Sequence, residues 1–337
     1  MTGNSKQKDA RYFITTRAHE VPEYLKKDLH KAKRLEWLTI IYLVTVVVVM
    51  YITLSSSQAM KTAWYEDMLS MIPSILFLLA YALFDRKPPN HDYPYGFHKI
   101  FTVAFLLGSF ALLGIGLFTF YEAVTALLKG EHPTIGHVTV FGQTLWFGWL
   151  MILALLYSFI PALFLGRAKL PLARKLHNKI LYTDAATQKA DWQTAGATII
   201  GIIGIGFGLW WADAAAAIFI SANIIKEGAM RTKAAVTDII EQLPTEIDSE
   251  EKMPLVYDIH RFFRELDWVK EVRIRARENG QVLFGEAFII PVAELHNTEE
   301  LIAKIEQAYK DIQELDWKVH EMVIQPVREF PESEDGE

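Results

Sequence analysis

The sequence predicts a bundle of six membrane-spanning α-helices followed by a small α+β domain in the cytoplasm. Three observations carry that expectation. Apolar residues make up 51% of the 337 and are concentrated between about residues 35 and 230, and the mean hydropathy of +0.16 is high for a soluble chain. Within that region the apolar runs reach the roughly 20 residues that a bilayer requires. The first 34 and the last hundred residues are polar by contrast, and the latter carry the short periodicities of a mixed α and β unit.

The spans are expected at 37–55, 62–84, 100–127, 145–165, 181–208, and from 209 or 212 to about 227. The fifth and sixth are separated only by a turn around Trp210, Trp211, Ala212 and Asp213, which makes them antiparallel neighbours. Orientation follows from the basic residues near the membrane ends. The N-terminal segment holds Lys6, Lys8, Arg11, Arg17, Lys26, Lys27, Lys31, Lys33 and Arg34, and it lacks the apolar core of a signal peptide. Arg86, Lys87 and Lys99 lie between spans two and three, and Arg167, Lys169, Arg174, Lys175 and Lys179 between spans four and five. The alternate loops, 56–61 and 129–144, are nearly bare of them. Both termini inside a cell inner (plasma) membrane satisfies every loop.

The expected domains are a cytoplasmic N-terminal segment (1–34), the transmembrane bundle (35–230), a linker (231–247), a cytoplasmic domain (248–327) and an acidic tail (328–337). In the cytoplasmic domain a helix at 253–266, strands at 269–277 and 282–291 around an Asn279-Gly280 turn, a helix at 298–312 and a strand at 317–325 give an α-β-β-α-β order. That order predicts a small open sheet with helices on one face.

Composition excludes several classes of function. The net charge of −6 comes without a basic stripe, so nucleic acid is not an expected partner. With no cysteine, any metal ligand must be oxygen, nitrogen or thioether sulfur. The chain has no phosphate-binding G-x-x-x-x-G-K-[ST], no G-x-S-x-G and no H-E-x-x-H, so an enzyme is not expected and no cofactor is implied.

Chemistry is expected from acids inside the bilayer, where each costs about 2.5–3.5 kcal/mol on insertion scales and therefore faces a polar interior. On span five Asp184, Thr187, Gln188 and Asp191 share one helical stripe, and on span two Asp67, Ser70, Met71 and Ser74 share another. Facing each other, the two stripes would enclose one dehydrated cation, with Asp67, Asp191, Thr187 and Met71 as principal ligands and Asp184, Gln188 and Ser70 as accessories. Blander readings stand beside these: Asp67 as a helix cap, Asp184 as an interface residue, Asp213 as a cap, Glu122 snorkelling and Met71 packing. His91, Asp92 and His98 form a second loop cluster whose ordinary reading is solvation. His260, His296 and His320 show no ligand spacing.

The stretch Asp92-Tyr93-Pro94-Tyr95-Gly96-Phe97-His98-Lys99 resembles the H-P-Y-G-H-G-K loop of the cation diffusion facilitator family. Phe120-Tyr121-Glu122-Ala123, the Asp184 to Asp191 segment followed by Gly196, and Trp211-Ala212-Asp213 match as well, so the resemblance spans about 36–325. It implies a ferredoxin-like cytoplasmic domain, a homodimer, and efflux of a divalent metal such as zinc, iron or manganese in exchange for protons. The departures are Met71 and Thr187, where the family pairs acids or histidine with acids four residues apart. Tyr93, Phe97, Val272 and Ala287 replace family histidines, which implies missing accessory sites and a dimer packed without metal. The thinned ligand set leaves a second reading open, a transport-deficient membrane scaffold or dimerisation partner.

Overall fold

The computed structural model describes residues 14–17, 21–86, 88–140, 143–249, 251–293 and 297–330. Lys6, Lys8, Arg11, Lys87, His296 and the acidic tail beyond residue 330 lie outside the described residues. The chain divides into two compact units, one of residues 24–83 and 103–236, the other of residues 1–23, 84–102 and 237–337.

The first unit is helical. Its elements are α1 (Glu23–Ile52), α2 (Gln58–Leu69), α3 (Met71–Arg86), α4 (Ile100–Leu128), α5 (Gly148–Lys175), α6 (Lys179–Gly206) and α7 (Ala212–Ile239). Among the described residues four stretches are long and apolar enough to cross a membrane: α1, α2 with α3, α4 and α5. Helices α6 and α7 have the length, 28 residues each. Their acids and bases, Asp184 and Asp191 on α6 and Asp213, Glu227 and Arg231 on α7, lower the hydropathy. Large apolar side chains such as Val48, Leu79, Leu107, Phe110 and Phe164 point outward. In water such a surface would aggregate, whereas in lipid it is the natural exterior.

Span two begins earlier than expected and is broken. Ser57 caps α2, its hydroxyl accepting from the Met60 N–H at 3.0 Å. Ser70 then separates α2 from α3, its own N–H turning back to the Glu66 and Met68 carbonyls. Pro73, which lacks an N–H to donate, follows in the first turn of α3, so the ladder across the break cannot close. Asp213 does act as a cap, but for another helix. Its carboxylate receives the Ser57 hydroxyl and the Gln58 and Ala59 N–H groups at the start of α2.

Packing in this unit relies on medium and small side chains. Val46 and Met50 of α1 meet Met60 and Ala63 of α2, Met151, Ala154 and Leu155 of α5, and Ile202 of α6. Gly228 lets α7 approach α4 so closely that a Cβ there would stand 2.7 Å from the Leu113 nitrogen. Between α4 and α5 the chain forms a hairpin, β1 (His137–Val140) with β2 (Gln143–Trp146), where the sequence had indicated only a loop.

The second unit holds α8 (Pro254–Arg264), β3 (Val269–Asn279), β4 (Val282–Pro291), α9 (Thr298–Leu315) and β5 (Val319–Pro326). The sheet order is β3-β4-β5, β3 antiparallel and β5 parallel to β4. This is the expected α-β-β-α-β succession. Val256, Ile259 and Phe263 of α8 pack with Ala308 and Ile312 of α9 over Leu283, Ile289, Val319 and Met322 of the sheet. The hairpin turn is displaced by one residue from the expectation: Asn279 pairs with Val282, so the loop is Gly280 and Gln281, with Gly280 at φ +72°.

The stretch that follows span two belongs to this unit. His98 is buried among rings, 5.1 Å from Phe84, 5.5 Å from Phe284 and 4.8 Å from His320 between centroids. Thr16 donates its N–H to the Pro94 carbonyl at 2.9 Å, and Arg17 donates to Gln313 at 2.7 Å and to the Val319 carbonyl at 3.2 Å. Lys99 donates to Glu241 at 2.8 Å, and that bond, helped by Arg277, holds the Glu241 carboxyl below the usual carboxylate range.

Candidate cation site

The break after α2 leaves two consecutive acids, Glu66 and Asp67, in the last turn of that helix, ahead of Met68 and Leu69. Ser158 of α5 donates its hydroxyl to both Asp67 oxygens at 2.9 and 3.0 Å. Thr194 of α6 donates to Glu66 Oε1 at 3.3 Å. Asp191, one turn before Thr194, lies within electrostatic range of Glu66 and Asp67. Tyr42 of α1 donates its hydroxyl to the Tyr157 and Ser158 carbonyls of α5 and is itself within range of Asp67 and Asp191. Four helices thus bring three carboxylates and three hydroxyl-bearing side chains to one layer of the bundle. Among the described residues no ion pair joins any of these carboxylates to a basic side chain.

The rest of the α6 stripe is divided among other partners. Asp184 is in an ion pair with the Lys169 ammonium of α5, which also reaches Glu36 of α1 at 3.0 Å. Gln188 donates to Asp184 at 3.0 Å, and Ser74 of α3 stands 3.5 Å from it. The Thr187 hydroxyl donates to the Thr183 carbonyl at 3.0 Å and accepts from Arg231 of α7, which is paired in turn with Glu227. Ser70 donates to the Glu66 carbonyl at 3.0 Å, and Met71 opens α3 on the far side of the break. Of the residues expected to share one ion, Asp67 and Asp191 lie within electrostatic range of each other. Asp184, Gln188 and Thr187 are each committed to a tethered cation or its partner.

Glu66, Ser158, Thr194 and Tyr42 were not singled out from the sequence. Two consecutive acids inside a membrane-length apolar run were the available signal for Glu66. In the loop after span two, His91 and Asp92 are exposed while His98 is buried among rings. Among the described residues no three His, Asp or Glu side chains lie close enough to hold one ion in this conformation, and that includes this loop cluster.

An apolar-faced helical bundle with a carboxylate layer inside it defines a multi-pass membrane transporter. The family model of the cation efflux transmembrane domain matches residues 37–240, and the chain belongs to that family, the cation diffusion facilitators. Its function is divalent metal cation efflux, and it is a transporter, not an enzyme. It is 23% identical over 264 residues, 77% of this chain and 84% of the relative, to the manganese efflux system protein MneS of Bacillus subtilis. It is likewise 23% identical over 273 residues, 77% of this chain and 85% of the relative, to the manganese efflux system protein MneP of the same organism. An uncharacterized transporter, MJ0449 of Methanocaldococcus jannaschii, is 26% identical over 176 residues, 51% of this chain and 56% of the relative.

Proposed function

We propose that this chain is a six-span antiporter of the inner (plasma) membrane that exports manganese(II) against protons through a site formed by Glu66, Asp67 and Asp191. The observation that carries the reading is the carboxylate layer itself, three acids from α2 and α6, none of them in an ion pair with a basic side chain among the described residues. Three ionised carboxylates inside a bilayer repel one another and lack the hydration that would stabilise them. A divalent cation offsets two of those charges and a proton the third. Departure of the cation leaves carboxylates that take up protons, which couples the two fluxes through one set of groups.

An all-oxygen donor set of carboxylates and hydroxyls suits a hard cation better than zinc, which favours nitrogen and sulfur. That preference agrees with the manganese efflux named for two relatives. Because no three acids yet converge on one point, the cation would draw α2 and α6 together, with Ser158 and Thr194 releasing their carboxylates to it. Both termini are read as cytoplasmic, and the α-β-β-α-β unit as a ferredoxin-like module through which two copies pair.

The test is flux into proteoliposomes of the purified protein, with manganese, zinc, iron(II), cobalt and cadmium compared under an imposed pH gradient. Gradient-dependent manganese flux supports the reading. No flux of any metal from a folded protein favours a scaffold that has lost transport.

A further inference from the structure

We infer that Arg231, latched by Glu227, is a tethered cation that guards the approach to the carboxylate layer and sets how readily a divalent ion reaches it. This rests on the transport reading above. The geometry is specific. Arg231 projects from α7 into the bundle with only 12% of its side chain exposed, and its guanidinium donates to Glu227, to the Thr187 hydroxyl and to the Thr183 carbonyl. Thr187 lies one turn before Asp191 on α6, and Ser70, at the break after α2, one turn beyond Glu66. A mostly apolar pocket, walled by side chains such as Leu76 and Phe105, occupies that level and carries Ser70, Asp184, Thr187 and Arg231 at its polar edge. It is therefore a chamber one helical turn from the carboxylates, on the side where α6 begins and α7 ends, and Arg231 forms part of its wall.

Charge decides what Arg231 does there. The guanidinium is held within electrostatic range of Asp184 and Asp191 as well as Glu227. In a medium that screens poorly a divalent ion in the chamber is drawn by Glu227, Asp184 and Asp191 and repelled by the guanidinium set among them, so removing the Arg231 charge leaves that attraction unopposed. Lys169 plays no equivalent part, because it is closed off between Glu36 and Asp184 with no exposed surface. Arg231 carries a planar, multi-donor head on a long stem and is hydrogen-bonded to Thr187 of α6. An ion that passes it exchanges one cation for another beside Asp191. The guanidinium is thus a positioning and selecting group, not a ligand.

The experiment is initial-rate manganese flux in oriented proteoliposomes, with KM and kcat measured separately for cation presented on the Arg231 side. Arg231→Gln should lower KM at least fivefold on that side with kcat changed less than twofold. Arg231→Lys should stay near the wild type because the charge is kept. Glu227→Gln, which leaves the guanidinium without its latch, should raise KM at least threefold. A purely structural pair would move both variants in the same direction, through lost folding. Equal KM in wild type and Arg231→Gln, or shifts of the same sign in Arg231→Gln and Glu227→Gln, overturns the inference while leaving the transport site standing. If Arg231→Gln fails to fold, Glu227→Gln decides alone: a raised KM supports the inference, and an unchanged or lowered KM overturns it. A wild-type protein that carries no metal removes the transport reading and this inference with it.

Discussion

Lys169 Nζ lies 3.0 Å from Glu36 Oε2, both side chains fully buried, and the same ammonium closes on Asp184. One cation therefore ties α1, α5 and α6 together inside the bundle. Removing one partner of a buried ion pair leaves an uncompensated charge, which costs about 3–5 kcal/mol. Lys169→Met strands two carboxylates and should lower the melting temperature of the detergent-solubilised protein clearly. A melting curve like the wild type's would mean that the triad does not hold these helices.

Gly280 has no room for a side chain. It sits at φ +72°, and a Cβ would stand 2.4 Å from the His98 carbonyl oxygen. Gly280→Ala should therefore destabilise the unit that contains the sheet by more than the roughly 1 kcal/mol of a left-handed alanine alone, since backbone and not a flexible side chain is in the way. Limited proteolysis of the full-length protein would report it, as faster cleavage within residues 237–330.

Glu321, on β5, gives a pH dependence of definite sign. Burial pushes its carboxyl above the ordinary value, and the Arg17 and Arg277 charges only partly offset this. A carboxyl whose folded pKa is raised costs stability when ionised, and that cost is relieved as pH falls through the folded value. Glu321→Gln should accordingly be more stable than the wild type at pH 7 to 8. The advantage should shrink as pH approaches the ordinary carboxylate range of about 4. An advantage that grew on acidification would contradict this account of the group.

Much of the fold was legible because the two signals that specify it are long-range in the sequence. Apolar runs of membrane length gave the helices, and the α-β-β-α-β order was readable from alternation and turn residues. What escaped was decided locally. The Ser70 break depends on Pro73 denying a hydrogen bond, and a hydropathy pattern runs straight through it. The Gly280-Gln281 loop differs from the expected Asn279-Gly280 because register across β3 and β4 is set by packing on the sheet face, which a dipeptide does not reveal.

How the buried acids are grouped was legible only in part, for a similar reason. Asp67 and Asp191 stand out by chemistry alone, as acids in lipid. Helical stripes grouped Asp184, Thr187 and Gln188 with them, but a stripe says which residues share a face, not which cation each one meets. Lys169 and Arg231 come from other helices and claim those three residues. Glu66 joins the layer because α2 ends where it does.

The proposed function assigns the metal to the carboxylate layer of Glu66, Asp67 and Asp191, which no ion pair holds among the described residues. The most direct measurement is manganese flux driven by a pH gradient in proteoliposomes, for the wild type beside Asp191→Asn, Asp67→Asn and Glu66→Gln. Each substitution keeps shape and removes charge, so each folded variant should lose at least tenfold in rate, whereas Asp92→Asn on the exposed loop should transport normally. Wild-type flux that survives all three substitutions would contradict the assignment of the site.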